Sequence, residues 1–113
     1  MKIQFNFEKD KLYVKTVGEL DLLVADSFRS QLDQTLDIKQ ARHLILDFSD
    51  VSFIDSSGLG VILGRYKRLA EIGGTVEICG VHEQIAKILE LSGLSRIMEI
   101  RQQPNDVQSG TSF

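Results

Sequence analysis

The stretch Phe53–Arg65 reads FIDSSGLGVILGR: one carboxylate, Asp55, two hydroxyls, Ser56 and Ser57, and three glycines, Gly58, Gly60 and Gly64. A serine in such a setting can attack a substrate, bind an anion, cap a helix or accept a phosphate. Nucleophilic attack needs a base within reach and, at a strand-to-helix elbow, a glycine two positions before the serine. Ile54 stands where that glycine belongs for Ser56. The two histidines, His43 and His82, lack an obvious orienting acid. A P-loop would continue into Gly-Lys-Ser/Thr, and a dinucleotide fingerprint would set Gly-x-Gly-x-x-Gly directly after the strand; neither is present. An anion site on the exposed N–H groups of a helix N-terminus stays open. So does plain capping by Asp55 or Ser56, for about 1 kcal/mol.

Capping explains one hydroxyl and leaves the glycines over. Glycine inside a helix costs about 1 kcal/mol relative to alanine. Ser56, Gly60 and Gly64 are four apart and share one helical stripe. Such a stripe admits another backbone, either the chain's own sheet or a visiting protein.

The elements that must position these residues follow from periodicity. Residues 1–17 alternate, with Ile3, Phe5 and Phe7 on one side and Leu12 and Val14 resuming after EKDK, the pattern of a hairpin that Gly18 ends. Val24, Ala25, Phe28, Leu32 and Leu36 fall at helical spacing, with Asp21 as the expected N-cap. His43–Phe48, HLILDF, reads as a buried central strand. After the serines, Leu59, Ile62, Leu63, Tyr66, Leu69 and Ala70 form one helical face, Arg65, Arg68 and Glu71 another, and Gly73 and Gly74 end the helix. Thr75–Cys79 reads as a strand, Glu83–Leu91 as a third helix closed by Ser92 and Gly93, and Ile97–Ile100 as a last short strand. Strands alternating with helices predict an α/β fold: a small mixed β-sheet, the leading hairpin antiparallel, with helices packed on it. Residues 1–101 are expected to form the domain. Residues 102–113, QQPNDVQSGTSF, are polar and aperiodic and read as a loose tail.

Composition narrows the function. The chain has 113 residues, 42% apolar and 26% charged, with a formal charge of −3. That is one domain large enough to fold without disulfides or metals. No basic run suggests nucleic-acid binding, and no apolar run approaches the roughly 20 residues that span a membrane. The N-terminus lacks the pattern of a signal peptide, and the lone Cys79 fits a reducing compartment, so a cytoplasmic protein is expected. Cys79 reads as a buried strand residue, and no metal-ligand spacing surrounds either histidine.

The stretch FIDSSGLGVILGRYKRLAEIGG, Phe53–Gly74, resembles the signature of the bacterial anti-sigma factor antagonists, the STAS-domain family. GELD at Gly18–Asp21, the strand-then-serine layout of LILDFSDVSFIDSSG, and LSGL at Leu91–Leu94 extend the resemblance over roughly residues 3–101. Within the family it is most similar to the sporulation members that antagonise anti-sigma F factors. The resemblance implies a single STAS domain with helices mainly on one face, acting as a switchable binding protein and not as an enzyme. The partner it implies is an anti-sigma factor that is also an ATP-dependent serine kinase. Binding frees the sigma factor, phosphorylation of the first serine after the aspartate, here Ser56, ends binding, and a PP2C-type phosphatase restores it. No cofactor of its own is implied, since the ATP belongs to the kinase, and the free chain is expected to be a monomer. A regulator of the general stress response, or of another partner-switching module, is the second expectation.

The partner surface is expected around Ser56. It includes Asp55, Ser57, Gly58, Leu59, Gly60 and Gly64, together with Asp21, Leu22 and Leu23 of the GELD loop. The sporulation members often carry histidines where this chain has Leu22 and Leu23, so the sequence departs from the pattern there. It also departs at its end, where the family usually has an amphipathic helix. Ser57 is expected to begin or cap the helix, leaving Ser56 for the phosphate.

Overall fold

A computed structural model describes residues 1–103 of the chain. Five strands, β1 (Lys2–Glu8), β2 (Lys11–Leu20), β3 (His43–Ile54), β4 (Thr75–Cys79) and β5 (Glu99–Ile100), form one sheet in the order β1-β2-β3-β4-β5. β1 and β2 are antiparallel; the later neighbours are parallel. Three helices, α1 (Leu22–Lys39), α2 (Ser56–Ala70) and α3 (Glu83–Leu91), fill the crossovers, and a single 3₁₀ turn, Leu94–Arg96, precedes β5. Each parallel step moves to the next strand in the same direction. Right-handed crossovers therefore put all three helices on one face. The expected α/β architecture is the observed one.

Alternation along the strands sorts the sheet's two faces. Leu12, Val14, Leu44, Leu46 and Ile78 join Phe28, Leu32, Ile62 and Leu89 of the helices in the main core. Tyr13, Ile45 and Cys79 point the other way and form a second small cluster. Fully burying each of the large side chains contributes about 1.5–3 kcal/mol, so the helix face holds most of the stability.

Four sequence expectations need correction. Gly18 does not end β2; it lies inside the strand at φ 121°, beside a register shift between Gly18 and Glu19. Glycine tolerates that backbone where a side chain would be strained, so it marks a bulge and not a break. β3 runs to Ile54, six residues past Phe48, carried by its pairing with β2 through Leu20↔Ile54. Ile97–Ile100 contains only the two-residue β5, because Ile97 follows the 3₁₀ turn. Arg65, read on the charged face of its helix and away from the apolar one, is only 9% exposed and held by Asp33. Of the expected tail, residues 104–113 lie outside the described residues. Gln103 still accepts a hydrogen bond through its carbonyl from Gly80 N–H (2.9 Å).

Candidate functional site

The parallel register Leu20↔Ile54 brings the carboxyl ends of β2 and β3 side by side. Helices begin at once after both, so the N-termini of α1 and α2 converge at one end of the sheet. Open α/β sheets place their functional sites at this end. Asp55 N–H donates to the Leu20 carbonyl at 3.1 Å and ties the two junctions together.

Each helix is capped by the aspartate before it. Asp21 accepts from Leu23 N–H at 3.1 Å. Asp55 Oδ1 accepts from Ser57 N–H (2.8 Å) and Gly58 N–H (3.1 Å). Its second oxygen reaches across to α1 and accepts from Leu22 N–H at 3.1 Å. Asp55 is thus the cap of α2, Ser56 its first helical residue, and Ser57 its second. Ser57 neither caps nor begins the helix, contrary to the sequence reading.

This arrangement presents Ser56. Its side chain is exposed, Ser57 is half-buried and Gly58 is buried. Among the described residues no hydrogen bond engages the Ser56 hydroxyl. The α-carbon of Gly58 lies against β2: a Cβ there would sit 2.6 Å from the Leu20 carbonyl oxygen and 2.9 Å from Ile54 Cγ1. Only a residue without a side chain allows α2 to start this close to the sheet. Gly60 and Gly64 differ, since a Cβ at either would meet nothing within 4 Å. Of the two uses considered for the small-residue stripe, closeness to the chain's own sheet belongs to Gly58, which lies off the stripe.

The surroundings are apolar and acidic. Leu22 is 73% and Leu23 90% exposed, while Leu59, further along α2, is half-buried against the core. Phe53, near the end of β3, is 45% exposed and was not singled out from the sequence. Its signal is an aromatic directly beside the buried Ile54, which must take the other side of the strand. Both helix ends, which favour negative charge, are already compensated by Asp21 and Asp55.

Neither histidine serves Ser56. His43 opens β3 at the far end of the strand, where Nδ1 is 2.8 Å from Thr75 Oγ1 and Nε2 3.6 Å from Asp10. His82 Nε2 is 2.7 Å from the Ser49 carbonyl oxygen. A cavity of about 440 Å³ is lined by Tyr66, Gly74, Thr75, Ile97 and Met98, at the end of the sheet where β4 begins, away from Ser56. Among the described residues no group of three or more His, Cys, Asp or Glu side chains is arranged to hold a metal. No helix there is long and apolar enough to cross a membrane. Cys79 is fully buried, and burial, with Asp47 nearby, pushes its thiol up to about 11.

Comparison with known proteins identifies the family. The family model of the STAS domain matches residues 2–107. An anti-sigma F factor antagonist of Paenibacillus polymyxa is 39% identical over 100 residues, covering 88% of this chain and 86% of that protein. An anti-sigma-B factor antagonist of Listeria monocytogenes is 30% identical over 94 residues, covering 83% and 82%. Among solved structures, the Bacillus cell fate determinant SpoIIAA in its phosphorylated form has the same fold. Its TM-score is 0.73 at 23% identity, with 96% of each chain covered. With a family model across nearly the whole chain and relatives at this identity, the chain belongs to the STAS-domain family, among its anti-sigma factor antagonists.

Proposed function

We propose that this chain is a cytoplasmic partner switch controlled by phosphorylation of Ser56. The unphosphorylated form binds an anti-sigma factor that is also an ATP-dependent serine kinase, and so frees the sigma factor. Phosphorylation ends binding, and a PP2C-type phosphatase restores it. The observation that carries this reading is the exposed Ser56 hydroxyl on the first residue of α2, held rigidly by the Asp55 cap. Around it, Asp21, Leu22, Leu23, Asp55 and Ser57 supply the contact surface near the hydroxyl, and Leu59, Gly60 and Gly64 extend it along α2, while Gly58, buried against β2, serves the chain's own packing instead. Leu22 and Leu23 are the apolar anchors, and ATP enters only as the kinase's substrate.

The physical logic is charge. A phosphoryl group brings about −1.5 to −2 charges to Ser56. The helix N-terminus that would welcome it already holds the Asp55 carboxylate on Ser57 and Gly58 N–H. Inside a closed interface the dianion is imperfectly paired, at a cost of several kcal/mol. Reversing a 99:1 binding equilibrium takes about 5.5 kcal/mol.

Sigma F is the first candidate for the controlled factor, supported by the 39% identity to an anti-sigma F factor antagonist. Control of a general stress-response module is the second, supported by the anti-sigma-B factor antagonists at about 30%. Incubation with each candidate kinase and ATP, read by intact mass and peptide mapping, tests both. One phosphate on Ser56 from one kinase is the expected result. Labelling of Ser57 with Ser56 clean, or no labelling by either, overturns the reading.

A further inference from the structure

Among the described residues β1 and β5 are the two edges of the sheet, and β5 has only two residues. β1 has seven, KIQFNFE, and among the described residues no strand pairs with its outer side. Natural edges are usually blunted by proline, a bulge, lysines or an inward-pointing charge. β1 has no proline or bulge, its register with β2 runs unbroken from Lys2↔Val17 to Glu8↔Lys11, and its two charges, Lys2 and Glu8, stand at its opposite ends with opposite sign.

The hairpin fixes which backbone groups face outward. Lys9 and Asp10 form a two-residue turn, with Lys9 at φ 60°, so Glu8 and Lys11 are the hydrogen-bonded pair that closes it. In an antiparallel ladder hydrogen-bonded and open pairs alternate. The N–H and C=O groups of Ile3, Phe5 and Phe7 therefore point away from β2.

A partner strand must present outward groups at matching positions, and β1 turned on itself does so. With Phe5 opposite Phe5 of a second copy, Ile3 faces Phe7, Gln4 faces Asn6, and Lys2 faces Glu8 at both ends. All three outward residues meet outward residues. Sliding the strands so that Ile3 faces Phe5 sets Lys2 against Asn6 and leaves Glu8 unmatched. Neither Lys2 nor Glu8 takes part in an ion pair among the described residues, so both are free for this one. Phe5, at the centre, is 37% exposed.

We infer that the β1 edge is a self-association surface, joining two copies antiparallel about Phe5 into a ten-stranded sheet with the Lys2–Glu8 pairs setting the register. The symmetry is two-fold and closed, so association stops at the dimer. One strand pair buries less than the roughly 1,200 Å² of a standard interface, so the dimer is weak. A concentration-dependent equilibrium replaces the monomer expected from the sequence.

Analytical ultracentrifugation of the full chain, from about 10 µM to about 1 mM, tests this in the range of weak association. The wild type should pass from monomer to dimer, Lys2→Glu should raise the dissociation constant at least tenfold, and Lys2→Glu with Glu8→Lys should restore it. Amide exchange at Ile3, Phe5 and Phe7, but not at Gln4 or Asn6, should slow as concentration rises. A monomer throughout the range, a dimer indifferent to Lys2→Glu, or a double variant that stays monomeric overturns the inference. Unchanged circular dichroism separates lost association from lost folding.

Discussion

The Asp55 carboxylate and the Leu22 backbone amide, 33 positions apart in sequence, are joined by a hydrogen bond of 3.1 Å. Asp55 caps its own helix with one oxygen and the start of α1 with the other. The residue beside the candidate phosphate acceptor therefore also fixes where the exposed Leu22 and Leu23 stand. Presentation of the hydroxyl and of the two exposed leucines is one structural event.

Asp55→Ala should consequently cost more than an ordinary cap. Loss of one helix cap costs about 0.5–2 kcal/mol, and this change removes acceptors from two helices. Urea unfolding should show Asp55→Ala less stable than Asp21→Ala, which loses only the bond from Leu23 N–H. Asp55→Asn keeps one acceptor oxygen and should fall between wild type and Asp55→Ala. Equal losses at Asp21 and Asp55 would mean that the bond to α1 contributes nothing.

The glycines of α2 should separate cleanly. Gly58→Ala drives a methyl to 2.6 Å from the Leu20 carbonyl oxygen and should destabilise by about 1–3 kcal/mol. Gly60→Ala meets open space in a helix interior and should stabilise by up to about 1 kcal/mol. Gly60→Leu should keep the melting temperature near wild type yet weaken binding to the proposed anti-sigma partner, measured by titration calorimetry. If Gly60→Leu binds as the wild type does, that face of α2 lies outside the interface.

Much of the fold is legible in the sequence. α1 has an aspartate at its start and apolar residues at every third or fourth position, so local and tertiary signals agree. α2 and α3 were equally clear. β3 was read short because SDVSFI breaks the apolar run, and what extends it is pairing with β2, a non-local fact. Gly18 bulges β2 without ending it, and a glycine that breaks a strand and one that bulges it look alike in one dimension. Of the candidate site, the convergence of Asp21 and Asp55 was anticipated, but the sharing of one carboxylate between two helices was not. That depends on the Leu20↔Ile54 register, which no local pattern encodes.

Arg65 offers a third test, since it is buried although it shares a charged face with Arg68 and Glu71. Burial lowers the pKa of its guanidinium, and the Asp33 carboxylate, 3.1 Å from Nε, opposes that shift. Asp33 accepts a hydrogen bond from Arg68 Nη1 at 3.2 Å, so with the Arg65 ion pair it joins α1 to α2 twice. Asp33→Ala leaves a buried cation without its partner and should cost about 2–3 kcal/mol. Asp37→Ala, which removes a carboxylate two-thirds exposed, should cost less than about 1 kcal/mol. Chemical denaturation of the two variants side by side decides it, and equal costs would mean that the Arg65 contact is energetically idle.

Cys79 supplies a test of the second cluster through pH. Its thiol is raised from an ordinary value of 9.0 to about 11, first by burial and then by Asp47. The folded chain holds the thiol proton more tightly than the unfolded chain, so this contribution is fully present below pH 9. Between pH 9 and pH 11 the unfolded chain ionises and the folded chain does not, and stability falls by about 2–3 kcal/mol. Cys79→Ala removes the group, so the difference in unfolding free energy between wild type and variant should narrow across that window. At pH 8 the native thiol should resist alkylation that the denatured chain undergoes readily. A native thiol that reacts as fast as the denatured one, or a difference that stays constant from pH 8 to pH 11, would place Cys79 in contact with water.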